Sequence, residues 1–398
     1  FIQGMSLRRF RNLKDAAQSL NVLAGQSSPL MTLVKIIAEH TDFKQELTQA
    51  QFAEKPSPFK ATPPLVQVMQ DFQSIQRLML VQDGTVTPPI TPYFDALAEL
   101  GDAMQKIAAA SEGGATAFAQ EFLSGKNNAL SRGMESIERR MGNRDSLLRP
   151  LFEQPLKYSW DVILVEAQAH LNKLWANAVY APFVETLATK YPFDPQGRED
   201  ASRTEAGDFF KPINGTFWSF FDKHLAGFVD HQSGPTKGRP GFEGIRVSED
   251  FRAALARADF LSKNLVATER QTQPISLRLQ PEPPQNAPNI DTIELYYDGR
   301  AYQYKMGQRP IWTLTWPVAN QKIQIMAKTQ NRPVAIKVFA GHWALFRMLS
   351  AARMEQHTLY WNFEGMKTNI GFTVVEMSST LLPMIKNLQS FHCPGKLD

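Results

Sequence analysis

Few residues in this sequence have the spacing that a catalytic or metal-binding site requires. Glu355 and His357 lie two positions apart. In a strand this spacing would point a carboxylate and an imidazole to the same side, where they could share a proton. The seven histidines are scattered along the chain, and the sequence contains no H-E-x-x-H, G-x-S-x-G, EF-hand or C-x-x-C motif. The sequence therefore favours ordinary surface residues at Glu355 and His357 over a catalytic pair.

Acidic residues in one polar stretch are a second candidate for chemistry. Glu199, Asp200 and Glu205 follow the aromatic turn Tyr191-Pro192-Phe193. Glycoside hydrolases use two carboxyl groups that are often distant in sequence, so these acids leave a role on polysaccharides open. Solvated acids in a loop explain the same residues without a substrate. We predict no catalytic residues and expect the protein not to be an enzyme.

The single cysteine, Cys393, limits metal and redox chemistry. One thiol forms neither an intrachain disulfide nor a thiolate metal cage. The glycine-rich loop from Gln232 to Gly241 lacks the G-x-x-x-x-G-K-[ST] spacing that directs several backbone N–H groups at a phosphate. We therefore predict no metal site, no cofactor and no small-molecule substrate.

The charge of the sequence argues against nucleic acid as a partner, and its hydropathy argues against a transmembrane helix. The 43 basic and 39 acidic side chains leave a formal charge of +4 along 398 residues, so nucleic acid is poorly supported as a partner. The most apolar stretch, Trp160 to Val184, is interrupted by charged residues and by Pro182, and it does not predict a transmembrane helix. Because the chain begins at Phe1 without methionine, we expect a fragment or a processed product.

Helical spacing extends from the start of the chain to about residue 190. Ser28-Pro29 predicts a helix start, with serine as the N-cap and proline at the first helical position. Apolar residues repeat at three and four positions from Leu65 to Met79, from Tyr93 to Ile107 and from Trp160 to Ala178. We interpret this region as a bundle or stalk of helices.

The apolar period changes from 3.6 to 2 near Thr272. Apolar residues then alternate with polar ones, and Asp298-Gly299 lies between two alternating runs, which is a strong hairpin signal. Seven or eight short strands indicate a sandwich or barrel, interrupted by one helix that starts near Trp343. The predicted fold class is α+β and multidomain, with an N-terminal all-α helical bundle or stalk followed by a C-terminal antiparallel β-sandwich with one inserted helix.

These patterns predict four domains or segments along the chain. They are a helical stalk or bundle at 1–190, an aromatic-rich helical junction at 191–271, a partner-docking β-sandwich at 272–380, and a C-terminal helix and tail at 381–398.

A dense group of aromatic residues marks the predicted junction. Nine of them fall between Tyr191 and Phe228, around proline and glycine breaks. Rings at this density bury about 150–250 Å² each. We therefore favour a packed joint, which would set the direction of the following domain, over a ligand cage. Together with a second motif, Gly341 to Arg347, they form a structural signature. Its residues are Tyr191, Phe193, Phe209, Phe210, Pro212, Gly215, Phe217, Trp218, Phe221, Trp343 and Phe346.

The signature resembles the C-terminal periplasmic region of the IcmF/TssM family, the inner-membrane scaffold subunit of the bacterial type VI secretion system. Four segments carry the likeness, namely Tyr191-Pro192-Phe193, Asp208-Phe209-Phe210 with Pro212 and Gly215, Phe217 to Val229, and Gly341 to Arg347. The sequence departs from the family at His342, where proline is expected, and at Lys211 and Ile213-Asn214, which alter a glycine-rich turn. We expect local differences in loop shape at these positions.

The resemblance implies a nonenzymatic scaffold. In the family, the periplasmic region packs against copies of itself in a homo-oligomeric ring and binds the outer-membrane lipoprotein TssJ through its C-terminal β domain. The inner-membrane subunit TssL is its companion, and an upstream part supplies the transmembrane helices and a cytoplasmic nucleotide-binding-like domain. For this chain the resemblance implies a periplasmic segment of an inner-membrane-anchored protein.

The predicted hairpin is the most specific candidate for a docking contact. Tyr297, Arg300 and Tyr302 surround its turn, and tyrosine and arginine are enriched at interface hot spots. An ordinary hairpin that packs on its own sheet has the same sequence features, so both interpretations stay open.

An envelope polysaccharide, such as peptidoglycan, is the alternative partner from another class. Sandwiches with exposed aromatic residues bind sugars, and the loop acids could process them. Sugar binding predicts exposed rings beside carboxylates, whereas scaffold packing predicts that Phe209, Phe217, Trp218 and Phe221 are largely buried. The exposure of these four rings therefore separates the two functions.

Overall fold

The structure of the chain is a computed structural model. It describes residues 5–41, 72–73, 75–81, 87–110, 112–141, 148–230, 234–235, 241–269, 275–284, 289–363 and 369–398. Three sequence features fall wholly or partly outside these residues: the apolar repeat before Phe72, the period change at Thr272 and most of the loop from Gln232 to Gly241.

Contacts divide the chain into two units. The first contains Phe1–Leu171 and Gly227–Arg246, and the second contains Asn172–Ala226 and Val247–Asp398. The bounds of the four segments inferred from the sequence stay a prediction.

Helices of the first unit occur where apolar repeats predict them, at Tyr93 to Ile107 and from Trp160 onward, and the helix Gly114–Leu123 was not predicted. The helices of this unit are α1 (Leu13–Ala24), α2 (Pro29–His40), α3 (Thr91–Ala109), α4 (Gly114–Leu123), α5 (Ala129–Met141) and α6 (Arg149–Trp175), the last of which continues into the second unit. Residues 75–79 are also helical. Two short strands, β1 (Val229–Asp230) and β2 (Gly234–Pro235), pair in the same unit.

Side-chain caps fix where the first two helices begin. The Asn12 side chain accepts a hydrogen bond from the N–H of Asp15 at 2.9 Å. The Ser28 hydroxyl accepts one from the N–H of Met31 at 3.2 Å, and Pro29 occupies the first helical position. These bonds satisfy donors that a helix start leaves unpaired, and they confirm the predicted start at Ser28-Pro29.

Helix α3 lies in the core of the first unit. Its Tyr93 is 2% exposed, and the hydroxyl donates to the carbonyl of Phe152 at 2.8 Å. The same two rings meet edge to face at 4.9 Å between centroids. Further along the helix, an ideal Cβ on Gly101 would lie 3.4 Å from the Cβ of Leu20, so glycine lets α1 approach closely.

A buried aspartate joins α1 to the arm that precedes it. Asp15 is 8% exposed, and its carboxylate accepts hydrogen bonds from the Arg8 guanidinium and from the backbone N–H of Arg11, both at 2.8 Å. These bonds favour the charged form and hold the pKa of Asp15 well below its ordinary value.

The second unit contains short helices before its sheets and two longer ones around them. They are α7 (Ala181–Thr186), α8 (Arg203–Phe210), α9 (Thr216–Phe220), α10 (Glu249–Glu269), α11 (Ala344–Ser350) and α12 (Leu381–Gln389). Two π-helical turns, Ala176–Tyr180 and Phe221–Leu225, adjoin α7 and α9. Within the described residues, no helix combines the length and apolar character needed to cross a bilayer.

The described strands of the second unit form two antiparallel sheets. They are β3 (Ile275–Pro281), β4 (Thr292–Tyr297), β5 (Arg300–Lys305), β6 (Trp312–Trp316), β7 (Lys322–Thr329), β8 (Arg332–Ala340), β9 (Arg353–Glu355), β10 (Thr358–Asn362) and β11 (Asn369–Met377). One sheet has the order β6-β3-β11-β10-β9 and the other has the order β5-β4-β7-β8.

Each sheet has an apolar inner face. Ile275, Leu277 and Leu279 of β3 are buried at alternate positions, as a period of two requires. The hydroxyl of Tyr297, at the end of β4, donates to the carbonyl of Thr315 on β6 at 2.5 Å and so links the two sheets. This arrangement confirms a β-sandwich.

The structure confirms the predicted fold class, with helices first and then two antiparallel sheets interrupted by α11. The Asp298-Gly299 hairpin is also confirmed, and both residues have positive φ, 48° and 74°. The two described sheets contain nine strands, where the sequence predicts seven or eight. Strand β9 is not among the predicted strands, because three exposed residues are too few to show an alternating pattern.

We expect Asp15→Asn to lower the melting temperature at neutral pH. Because folding lowers the pKa of Asp15, its contribution to stability is present above the ordinary aspartate pKa of about 3.9 and is lost as pH falls towards the folded-state value. Between about pH 7 and about pH 2, the gap between the melting temperatures of the two proteins should therefore be constant at first and then narrow below about pH 4. Asp102→Asn, at an exposed position on α3, controls for the loss of one charge. A gap that stays constant with pH would contradict this account.

Candidate functional site

The rings of the sequence signature are packed inside the second unit. Phe209 is 3% exposed, Phe217 0%, Trp218 4% and Phe221 0%. The other buried aromatic residues of the signature are Tyr191, Phe193, Phe210, Trp343 and Phe346. Gly215 is buried as well, and Pro212 is exposed. Burial of the four diagnostic rings is the outcome that scaffold packing predicts, whereas sugar binding requires exposed faces.

A phenylalanine from the C-terminal tail (residues 390–398) lies at the centre of these rings. The centroid of Phe391 is 4.9 Å from that of Phe210 and 5.3 Å from that of Phe183. Contacts at 6.2–6.4 Å join it to Phe193, Phe209 and Phe217. All five contacts are edge to face, a geometry that adds about 0.5–1.5 kcal/mol per pair to the burial of area. We call these six phenylalanines the aromatic cluster.

Hydrogen bonds hold the rest of the tail against two helices. The indole N–H of Trp175 donates to the carbonyl of Pro394 at 2.7 Å. The N–H of Leu397 donates to the Asn172 side chain at 2.9 Å, and its carbonyl accepts from the N–H of Ser248 at 2.8 Å. The tail is therefore part of the core of this unit.

The single cysteine lies in this tail. Cys393 is buried, and burial raises the pKa of its thiol to about 12, because a thiolate there would lose its solvation. Only the thiolate reacts readily with thiol reagents. The thiol is therefore unreactive at neutral pH while the tail is in place.

The turn between α8 and α9 shows why position 215 requires glycine. An ideal Cβ on Gly215 would lie 2.3 Å from the carbonyl oxygen of Lys211. Asn214 has a φ of 63°, a conformation that asparagine tolerates better than most residues. Ile213 points outward and is 77% exposed. The departures from the family pattern at Ile213-Asn214 thus lie on the outside of the turn, and Gly215 keeps the crowded inner position.

An ion pair stacked on a ring joins the two signature motifs. The Arg347 guanidinium, on α11, pairs with the Asp200 carboxylate and lies 3.8 Å from the ring centroid of Tyr191. The side chains of Arg347 and Asp200 are 24% and 11% exposed, so solvent screens the pair only partly. We call Tyr191, Asp200 and Arg347 the arginine node.

Backbone pairing positions the carboxylate of the node. The N–H of Tyr191 donates to Glu199 at 2.8 Å, and the N–H of Ala201 donates to the Tyr191 carbonyl at 2.7 Å, so Asp200 lies between two fixed residues. Its carboxylate also accepts from the backbone N–H of Trp343 at 3.3 Å, and the indole of Trp343 donates to Ala201 at 2.8 Å. The two motifs are thus bonded through both backbone and side chains.

Stacked tryptophans connect the node to the sandwich. Trp343 stacks on Trp316 of β6 at 5.5 Å, and Phe346 packs against both rings at 4.8–5.1 Å. The Arg203 guanidinium of α8 lies 5.8 Å from the Trp316 ring. Strand β6, helix α11 and helix α8 therefore meet at one buried point.

The hydroxyl of Tyr191 faces a polar contact. It lies 3.5 Å from both the Ser350 hydroxyl and the Gln389 amide, and the amide donates to Ser350 at 3.0 Å. Burial of the ring raises the pKa of Tyr191 above its ordinary value. Tyr191 is therefore a neutral packing residue at physiological pH.

The structure does not bring the candidate catalytic residues together. Glu355 ends β9 and His357 lies with Gln356 in the turn that follows, so the two residues do not share a strand. Both are exposed, and Glu355 pairs with Arg353 at 3.0 Å. Among the described residues, no group of three or more His, Cys, Asp or Glu side chains is arranged to hold a metal ion.

The loop acids have structural contacts. Glu205 accepts from the N–H of Ser202 at 3.3 Å, and Ser202 caps α8 in return, which forms a capping box. Asp200 belongs to the arginine node, and Glu199 is exposed. These contacts explain Asp200 and Glu205 without a substrate.

The three predicted contact residues of the hairpin have different surroundings. Tyr297 is 2% exposed and bonds to Thr315 inside the sandwich. Tyr302 is half-buried, and its hydroxyl donates to the carbonyl of Thr313 at 3.2 Å. Arg300 is exposed at the start of β5. A role of these residues in partner binding stays a prediction.

Sequence reasoning missed two central residues of this site. The sequence predicts only a short helix and tail around Phe391, and the apolar repeat from Trp160 to Ala178 does not include Trp175. An aromatic residue in a tail that also carries Pro394-Gly395 was the available signal for a buried segment. Asp200 and Arg347 were each noticed, but their pairing spans 147 positions and leaves no local pattern.

Two protein-family models match the chain, and together they cover about half of it. The model of the type VI secretion protein IcmF helical domain matches residues 166–269, and that of the type VI secretion protein IcmF C2-like domain matches residues 278–376. Type VI secretion system component TssM1 from Pseudomonas aeruginosa is 22% identical over 386 residues, which cover 87% of this chain and 33% of that protein. The chain thus spans about a third of the length of this curated relative.

Two solved structures share the fold. One, described as a type VI secretion system membrane core complex, has a TM-score of 0.74 and 18% identity, covering 100% of this chain and 80% of that chain. The other, described as a type VI membrane complex, has a TM-score of 0.72 and 19% identity, covering 100% of this chain and 76% of that chain.

We expect Gly341→Ala to destabilise the chain by about 2 kcal/mol or more. Gly341 has a φ of 99°, and an ideal Cβ would lie 2.0 Å from a carboxylate oxygen of Asp200. Gly299→Ala is the matched control, since its φ is 74° and nothing lies within 4 Å of the added Cβ. It should cost only the backbone strain of about 1 kcal/mol. If urea denaturation gave the two variants equal losses in the free energy of unfolding, crowding at the arginine node would be contradicted.

We expect Phe391→Ala to lower the free energy of unfolding by about 3–5 kcal/mol, because it removes the ring shared by the aromatic cluster. The Cys393 thiol should also react faster with a thiol reagent at neutral pH, since the tail detaches more often. His392→Ala, at an exposed position of the same tail, should change neither quantity. Unchanged thiol reactivity in the Phe391 variant would show that the ring does not hold the tail.

Proposed function

The chain belongs to the IcmF family of type VI secretion proteins, and from this premise we propose that it is a structural scaffold of a type VI secretion trans-envelope membrane complex. In this proposal it is a periplasmic segment that assembles with copies of itself, with TssL as the inner-membrane companion. Its C-terminal sandwich binds the outer-membrane lipoprotein TssJ. The protein acts through shape and contact and is not an enzyme.

The observation that carries the proposal is the bonding between the signature motifs. The arginine node and the stacked tryptophans attach α11, which is inserted in the sandwich, to the loop before α8. A partly buried charge pair with ring stacking resists rotation, because any displacement leaves charge without a partner. Rigidity at this point suits a part that transmits position between bound partners.

The acids and rings argue for a scaffold over polysaccharide processing. The four diagnostic rings are at most 4% exposed, so they offer no platform for a sugar. Asp200 and Glu205 are engaged in structural bonds. These contacts leave the sandwich surface as the candidate for partner binding.

The hairpin between β4 and β5 is the part of that surface we assign to TssJ. Arg300 is exposed at its turn, and Tyr302 presents a half-buried ring beside Trp312, at 5.9 Å between centroids. An exposed arginine next to a braced aromatic residue is typical of an interface hot spot. Tyr297 supports the hairpin indirectly, because its hydroxyl bonds the end of β4 to β6.

We expect Arg300→Ala and Tyr302→Ala each to weaken binding of purified TssJ by about tenfold, the loss typical of a moderate hot spot. The measurement is isothermal titration with the full chain, because the tail and the aromatic cluster belong to the same unit as the sandwich. Lys305→Ala is the control, since it removes a positive charge from the same strand away from the turn.

Two outcomes would count against the proposal. Unchanged affinity in both hairpin variants would remove the hairpin from the docking site. Absence of any complex between TssJ and the folded wild-type chain would overturn the docking function itself.

A further inference from the structure

Strand β8 is an edge of the four-stranded sheet. It pairs with β7 on one side, and no other strand among the described residues pairs with its second side. It is nine residues long, about as long as any strand in the sandwich, and begins at Arg332. A long free edge presents a row of backbone donors and acceptors to which another strand can bind.

The register shows which residues of β8 present those groups. The N–H of Gly341 donates to the carbonyl of Gln321, so this pair is a hydrogen-bonded one. Bonded and non-bonded pairs alternate along an antiparallel ladder. Ile336 and Val338 are therefore non-bonded towards β7, and their N–H and C=O groups point to the free edge.

The same residues carry an exposed apolar stripe. Ile336 and Val338 are 51% and 47% exposed, and they lie on one face because they alternate along the strand. Val334, at the irregularity in the pairing, is 52% exposed. On β7, Met326 lies opposite Ile336 and is half-buried, so the stripe continues one strand inward. The free edge of β8 thus presents both unpaired backbone groups and exposed aliphatic side chains, the two features that an added strand binds.

Protection of this edge is confined to one end. Pro333 lacks an N–H, Arg332 adds a charge, and the pairing with β7 is irregular near Lys328. These are features that proteins use to block edge pairing. From Ala335 to Ala340 the strand has no such feature except Lys337, whose amine bonds inward to the Asn362 carbonyl at 3.0 Å.

The charge of β7, β8 and the turn between them indicates what kind of strand would bind at the edge of β8. From residue 322 to residue 340 the sequence has four basic side chains and no acidic one. Arg332 is exposed at the start of β8, and Lys322 is exposed opposite Ala340 at its end. Exposed positive charges thus flank both ends of the apolar stripe, and acidic residues at both ends of a strand would complement them.

We propose that the free edge of β8 binds an extended segment of another protein, with alternating aliphatic residues and an acidic residue at each end. The segment extends the four-stranded sheet by one strand. A second copy of this chain fits less well, because pairing β8 with β8 or with β5 brings basic ends together, including Arg300 and Lys305. This surface is separate from the hairpin turn assigned above.

The test uses the full chain and a synthetic peptide of eight residues, acetyl-Asp-Val-Thr-Val-Thr-Ile-Thr-Glu with a C-terminal amide and a fluorescent label. Because both ends of the peptide are acidic, it can place an acid near each basic end of the edge whether it binds parallel or antiparallel to β8. One control peptide has lysine in place of both acids, and a second has proline at the central valine, which interrupts strand pairing. Anisotropy measures binding, and hydrogen exchange measures the amides of Ile336 and Val338.

We expect saturable binding of the acidic peptide and slower exchange at Ile336 and Val338. Ile336→Lys should weaken binding by about tenfold or more, because it removes an aliphatic contact and blocks the edge. Ala301→Lys, on the opposite edge of the same sheet, is the matched control and should bind as the wild type does.

Three results would each overturn the proposal: no saturable binding of the acidic peptide, equal binding of the lysine or proline peptide, or equal affinity of the Ile336 variant. Protection at β5 in place of β8 would also overturn it. None of these results bears on TssJ binding, because TssJ is absent from the experiment.

Discussion

The charge pair between Arg347 and Asp200 is the interaction on which the arrangement of the second unit depends. Removing charges from water is costly, and the cost is offset only when their hydrogen bonds and contacts are complete. Here the carboxylate also accepts from the Trp343 backbone, and the guanidinium lies on the Tyr191 ring. These contacts require the loop before α8 and the start of α11 to be placed together. The crowding at Gly341 is a result of that closeness.

The aromatic cluster buries apolar area in the same unit whose segments the charge pair orients. Five of its six rings lie between Phe183 and Phe217, and Phe391, far away in the chain, contacts all of them. Burial of such rings is strong but has little directional preference. Directional bonds at the node and apolar burial at the cluster therefore have complementary roles, since one sets orientation and the other removes apolar area from water.

Local patterns accounted for much of this fold. The cap at Ser28-Pro29, the alternation in β3 and the Asp298-Gly299 hairpin depend on neighbouring residues, and the structure confirms them. Burial of the four diagnostic rings was also predictable, because nine aromatic residues within so short a stretch are best accommodated in a core. The contact between Arg347 and Asp200 was not predictable, because neither residue has a local partner that indicates it. The exposed stripe on β8 was likewise hidden, since an edge strand and a central strand can share one sequence pattern.

The burial of Cys393 has a practical consequence for studies of assembly. It is the only cysteine in the chain, and its thiol is enclosed. A cysteine introduced at any exposed position would therefore be the sole site that a maleimide spin label or cross-linker modifies in the folded protein. Such a label can report on the chosen position in an otherwise natural sequence, with no prior replacement of the native residue.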